Sequence, residues 1–243
     1  METPSAPITN DAMKMNEIKL TRVEQMLAYI IVFTAGFVDV IAFLKWKTYV
    51  SLMSGNTTQM GIFLNEDSTK NTLNLSITAI VGFMAGIFIG TTLATWKKNK
   101  ISTLSFFLIA ILYSTYTFIN MSHPITPILS VATLALGVGM LNTIVTVEGN
   151  MKLNTVFVTG ALVNVSIYLS NWMMLDDKDA KKKSRFQAFN FLLIWALFLL
   201  GTYAGSSVLD DLGEWILMVP VVLVLICAFI MHFFCENLIL PSK

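Results

Sequence analysis

Charge is what this chain has least of. Asp, Glu, Lys and Arg make up 13% of its 243 residues, against roughly 25% in a soluble domain. The few charges sit in short clusters between apolar runs, which leaves no room for a separate soluble domain. The formal net charge is +1, and no basic patch is interleaved with aromatics, so no nucleic-acid partner is expected. Cysteine is scarce too. Cys227 and Cys235 both fall in the last apolar run, which excludes a disulfide framework. The two histidines offer no metal-ligand set: His123 stands beside Pro124 in a turn, and His232 lies near the last apolar boundary. No nucleophile–base pair, phosphate loop or second buried acid is visible, so neither an enzymatic activity nor a cofactor is expected. Residues 1–22 are polar, contain Pro4 and Pro7, and lack the short apolar core of a signal peptide. They are expected to form a disordered tail.

What the chain has in excess is hydrophobicity: 55% of its residues and a mean hydropathy of +0.70. Eight apolar segments follow one another: 26–44, 48–64, 72–96, 101–119, 128–147, 153–174, 186–209 and 215–234. They define an all-α integral membrane protein whose partner is the lipid bilayer, with one membrane domain over 23–235 and a C-terminal tail over 236–243. Trp46, Trp96, Trp172 and Trp215 fall at segment ends, where an interfacial aromatic belt would put them.

The second segment carries a polar knot, Ser54-Gly55-Asn56-Thr57-Thr58-Gln59, between two apolar runs. In hydrocarbon each unpaired amide or backbone group costs several kcal/mol, so such density needs a reason. Ser54 is expected to cap a short half-helix over 55–64, with Gly55 allowing tight backbone. Ten residues reach about 15 Å, half of a hydrocarbon core of about 30 Å. Asp39, inside the first span, carries an insertion cost of at least about 2.5–3.5 kcal/mol. It is the leading candidate for binding a cationic solute or coupling ion; the structural alternative is a carboxyl that ties the first span to the knot. Ser54, Gly55, Asn56 and Thr57 would hold a polar or anionic group at a half-helix N-terminus, or merely cap and pack a broken helix.

The halves echo each other. Gly36–Asp39 matches Gly139–Asn142 at an offset of 103, Ser54-Gly55 matches Thr159-Gly160 at 105, and Gly86/Gly90 matches Gly201/Gly205 at 115. Asn142, Thr159, Gly160 and Asn164 are therefore the second half's candidate site residues. The glycine stripes Gly82/Gly86/Gly90 and Gly201/Gly205 suit close helix packing, within one bundle or across a homo-oligomer seam. Two topologies remain open. Six crossings plus two re-entrant segments place 13 basic residues inside and three outside, with both termini cytoplasmic and the repeats (about 23–122 and 123–235) inverted. Eight crossings in two parallel four-helix repeats place ten inside and six outside.

Ala35-Gly36-Phe37-Val38-Asp39-Val40-Ile41-Ala42-Phe43-Leu44, then Met53-Ser54-Gly55-Asn56-Thr57 and Gly61, resemble the YoaK-like family of bacterial multi-pass membrane proteins. That family's pattern is roughly Gly-x-Val-Asp-x-x-x-Phe-Leu followed by [Ser/Thr]-Gly-Asn-Thr. The likeness extends over about residues 22–235. This chain departs from it after Asn142, where Thr146-Val147-Glu148-Gly149-Asn150 replaces a basic stretch. The family is one of unknown function, so the resemblance implies a bacterial plasma (inner) membrane and the multi-pass topology, and supplies no activity. The residues themselves favour a secondary transporter or facilitator of a small polar solute. A non-transporting scaffold or sensor is the alternative, and a membrane enzyme the third.

Overall fold

The computed structural model describes residues 10–64, 70–96, 103–146 and 158–233, and every regular element among them is helical. The order is α1 (Asn10–Trp46), α2 (Met53–Phe63), α3 (Lys70–Trp96), α4 (Thr103–Ser122), α5 (Pro127–Thr146), α6 (Val158–Met174), α7 (Lys178–Leu212), a 3₁₀ turn (Gly213–Leu217) and α8 (Met218–Met231). Among the described residues, five helical stretches are long and apolar enough to cross a membrane. The last runs over Lys178–Met231, 54 residues. At about 1.5 Å per residue it would be far longer than a bilayer's roughly 30 Å core. It breaks at Gly213, whose φ of 51° is open to glycine without steric penalty.

Two segment limits differ from the sequence reading. α1 is helical from Asn10, so residues 10–22 are part of a helix and not a tail. No proline or glycine interrupts that stretch, and Met, Lys, Glu and Leu favour helix. The charged run 178–185 forms the first two turns of α7 where a loop was expected. Asp177 caps it, accepting from Asp179 N at 3.4 Å and Ala180 N at 3.0 Å, so the helix starts on its own local signal.

The helices present apolar side chains all round, as membrane helices do. α4 turns Phe106, Ile109, Ala110, Tyr113, Tyr116 and Thr117 inward and Phe107, Ile111 and Phe118 outward. Inward hydroxyls find partners: Tyr113 Oη donates to the Leu134 carbonyl at 3.0 Å and Tyr116 Oη to Ser130 Oγ at 2.9 Å.

Two seams hold the bundle together, α1 on α7 and α3 on α5. They match contact for contact. A methyl group on Gly36 would strike the Phe198 carbonyl, and one on Gly139 the Phe83 carbonyl; one on Gly201 would strike the Phe33 carbonyl, and one on Gly86 the Leu136 carbonyl. Gly205 lies against Val40, and Gly90 against Thr143. Every α1 residue in this set lies 103 positions before its α5 counterpart, and every α7 residue 115 after its α3 counterpart. The remaining packing repeats the pattern: α2 on α3 and α6 on α7, α4 on α5 and α8 on α1, with α1–α5 and α4–α8 as self-matched pairs.

Directions follow from these contacts. On α1 and α7, residues 33–40 meet 198–205 in rising order, so the two helices run parallel; on α3 and α5, 82–90 meet 132–143 in the same sense. The C-terminal ends of α1 and α4 and the start of the 3₁₀ turn gather at one end of the bundle. There Glu214 takes Lys45 Nζ at 3.4 Å and the Asn120 amide, while Phe118 meets Trp215 edge-on at 5.9 Å. α5 starts at that end as well, directly after α4, and α3 starts there because it parallels α5.

The seams give a paired test. Gly201→Ala and Gly86→Ala each force a carbonyl contact and are expected to lower stability by about 1–3 kcal/mol, read as the unfolding midpoint of the purified protein in detergent. Gly61, around which a methyl group meets nothing within 4 Å, serves as control. Gly61→Ala is expected to be neutral or stabilising by up to about 1 kcal/mol from helix propensity.

Candidate functional site

α1 ends at Lys47, the non-glycine residue at positive φ (54°) among the described residues. Its amide bonds the Phe43 carbonyl at 2.8 Å, an αL helix stop, and its ammonium lies 5.4 Å from the Phe43 ring centre. The chain then turns back. Residues 47–52 form an irregular leg alongside the last two turns of α1, and α2 returns toward the end it left. The result is a hairpin with one extended arm and one helical arm.

Asp39 anchors the leg to α1. It is 3% exposed, and its Oδ1 accepts from Val50 N at 2.8 Å and Ser51 N at 2.7 Å. The two bonds from backbone amides to one carboxyl oxygen offset part of an insertion cost of about 2.5–3.5 kcal/mol. The same bonds provide for two amides that would otherwise be stranded. Asn56, fully buried, zips the two arms. Its Oδ1 accepts from Tyr49 N at 3.1 Å and its Nδ2 donates to the Tyr49 carbonyl at 2.6 Å. Gln59 repeats this one turn on, donating to the Lys47 carbonyl at 3.2 Å and accepting from Ser76 Oγ of α3 at 3.1 Å. The Tyr49 ring stacks on Phe43 at 4.9 Å, and its edge occupies the space where a Gly55 methyl group would sit, at 2.9 Å.

Of the first-half candidates, then, the hairpin brings together Asp39, Gly55 and Asn56. Ser54 and Thr57 are turned to the exposed face of α2. Ser54 is not the helix cap. The helix begins at Met53, and Leu52 precedes it without a side-chain capping bond; the Leu52 carbonyl takes Gly55 N at 3.1 Å and Asn56 N at 3.4 Å. Thr57 and Thr58 return their hydroxyls to the Met53 and Ser54 carbonyls at 2.8 and 3.1 Å, which hides the hydroxyls within the helix itself. Tyr49 and Gln59 complete the hairpin without having been singled out. The signal for Gln59 was its helical spacing of three from Asn56.

In the second half Asn142 is buried on α5. Thr159 is exposed and Gly160 half-buried in the first turn of α6, and Asn164 Nδ2 donates to the Gly160 carbonyl at 2.9 Å. In the first turn of α6, Val158 and Ala161 join the cluster of Ala28, Val32, Ala35, Ile194 and Phe198 from α1 and α7. Glu148, Asn154 and Thr155 lie outside the described residues. Among the described residues no group of three or more His, Cys, Asp or Glu side chains could hold a metal ion.

Residues 27–230 match the family described as protein of unknown function (DUF1275), and the chain belongs to that family. It is 23% identical over 199 residues, 79% of this chain and 86% of the other, to UPF0700 transmembrane protein YoaK of Bacillus subtilis (strain 168). No solved structure matches. With its apolar helices, this makes the chain a multi-pass membrane protein of an uncharacterised family.

The hairpin's dependence on Asp39 can be measured with a single cysteine at Ser51. Asp39→Leu strands the two leg amides, at about 1–3 kcal/mol each, and is expected to open the cysteine to a water-soluble maleimide. Asp39→Asn, which keeps an acceptor oxygen but not the charge, is expected to open it less than Asp39→Leu does.

Proposed function

We propose that this DUF1275 member is a secondary transporter or facilitator of a small polar solute, with a site formed where two broken segments meet the paired helices α1 and α5. The observation that carries the reading is the hairpin over 47–64, held inside the membrane-spanning part of the fold by a buried carboxylate. Polar backbone at membrane depth is tolerated where it is enclosed by protein or lines a solute path. Short helices starting deep in the bundle, one in each half, are the recurring transporter plan.

In this reading six helices cross (α1, α3, α4, α5, α7 and α8), while α2 and α6 re-enter, and the halves are inverted repeats. The helix directions support it. α1 ends where α3 begins, and α5 ends where α7 begins, so each short segment leaves and returns on one side. The α1–α5 and α4–α8 pairs are then antiparallel, as an in-plane two-fold requires. The basic residues support it as well: 13 fall on the face of the N-terminus and three on the other, which makes both termini cytoplasmic by the positive-inside rule.

Asp39 would act as the exchange point. Protonation, or a cationic group on the solute, weakens its hold on Val50 N and Ser51 N and frees the leg. Ser54, Gly55, Asn56 and Thr57 on one side, and Asn142, Thr159, Gly160 and Asn164 on the other, would supply neutral donors and acceptors. The acid is present in one half only, so the site is asymmetric. The alternative, a non-transporting scaffold or sensor, draws on the fact that both leg amides already occupy the carboxylate.

The test is flux into liposomes carrying the purified protein, across amino acids, ammonium, urea and polyols at several pH values. Native protein is expected to pass at least one of these above empty liposomes. Asp39→Asn, folded to the same level, is expected to slow that flux by about tenfold or more, equivalent to about 1.4 kcal/mol, or to erase its pH dependence. No flux from native protein supports the scaffold instead, and unchanged flux from Asp39→Asn removes Asp39 from the mechanism.

A further inference from the structure

Asn190 sits on the α7 side of the α1–α7 seam and is 4% exposed. Its Oδ1 accepts from the Tyr29 hydroxyl of α1 at 3.3 Å. Its Nδ2 is buried and meets no hydrogen-bonding partner among the described residues, and neither does Gln187 Oε1, three positions earlier on the same helix. Turning the Asn190 amide over swaps the two atoms and still leaves one without a partner. Each such atom has given up its hydrogen bonds to water without a replacement.

The twin seam is an internal control. Under the offsets of 103 and 115, Tyr29, Gln187 and Asn190 correspond to Ala132, Thr72 and Leu75. The α3–α5 seam packs through the same glycine contacts with no amide at either α3 position. The shared architecture therefore does not require amides here, and they are kept against their burial cost.

We propose that Tyr29, Gln187 and Asn190 form a binding niche for a small uncharged molecule bearing both a hydrogen-bond donor and an acceptor, of which a primary amide is the best fit. Asn190 Nδ2 supplies a donor, Gln187 Oε1 an acceptor, and the Tyr29 hydroxyl closes the set. Tyr29 and Gln187 are half-buried. Its three residues carry no charge; of the basic residues just before it on α7, Lys182, Lys183 and Arg185 are exposed and Lys181 is half-buried. Asp39 is the one Asp, Glu, Lys, Arg or His among the described buried residues, and it lies about 15 Å further along α1. The niche is thus separate from the hairpin, and its existence does not depend on the transport reading.

The experiment is thermal unfolding of the purified full-length protein in detergent, with acetamide, urea or glycerol as probe. Acetamide is expected to raise the midpoint with the logarithm of its concentration, as a ligand of the folded state does. Asn190→Leu and Gln187→Leu are each expected to abolish the shift, and Asp39→Asn to retain it. If Asn190→Leu fails to fold, Gln187→Leu and Tyr29→Phe carry the comparison. The proposal is overturned if no probe shifts the native protein, or if Gln187→Leu shifts as the native protein does. A Leu variant more stable than a native protein that ignores all three probes overturns it too, since the two amides would then be only a packing defect.

Discussion

A backbone amide in hydrocarbon must have a partner, and the first half of this protein is arranged around meeting that requirement for six residues. The leg over 47–52 cannot be helix, because it has to turn back after α1, and it cannot be strand, because nothing runs beside it as a ladder. Five of its polar groups are met by side chains of two helices. Asp39 of α1 takes two amides, Asn56 of α2 takes an amide and a carbonyl, and Gln59 of α2 takes a carbonyl while binding Ser76 of α3. Removing the acid would leave two donors in oil, whereas removing the leg would leave the acid there. Each is the reason the other is tolerated.

Beside that hairpin, two helix seams share one pattern of close contacts. Close carbonyl contacts at Gly36 and Gly201 on one seam recur at Gly139 and Gly86 on the other, so the backbones approach equally closely in both. Such seams bring backbone against backbone, as small residues allow. The two halves differ where chemistry would matter. Asp39 faces the leg where its counterpart is Asn142, and the α1–α7 seam holds amides where the α3–α5 seam holds Leu75 and Thr72.

Much of this was legible in the residues. Hydropathy marked the apolar segments, and helices stand there in the structure. The cost of a lone Asp39 pointed to a polar partner nearby, and the partners are Val50 N and Ser51 N, ahead of the polar knot. Other features were not legible. Ser54 has the side chain of a cap, but Asn56 is the residue whose amide can serve both a donor and an acceptor on Tyr49, so burial went to Asn56 and Ser54 turned outward. The basic run at 178–185 has loop-like composition, yet Asp177 starts a helix there that tertiary packing then extends. Asn190 and Gln187 are single amides in an apolar helix; only their placement on the seam with Tyr29 sets them apart.

The central claim is that the chain between α1 and α3 turns back without crossing. In protein cleared of Cys227 and Cys235, single cysteines at Lys47, Asn71, His123, Asp211 and Lys178 can be labelled with a membrane-impermeant maleimide, in sealed cells and in opened membranes. The account predicts that the first four react from one face and Lys178 from the opposite face. Asn71 and His123 reacting from the face opposite to Lys47 would contradict it, because α2 would then be a crossing helix and the buried carboxylate would no longer hold a hairpin.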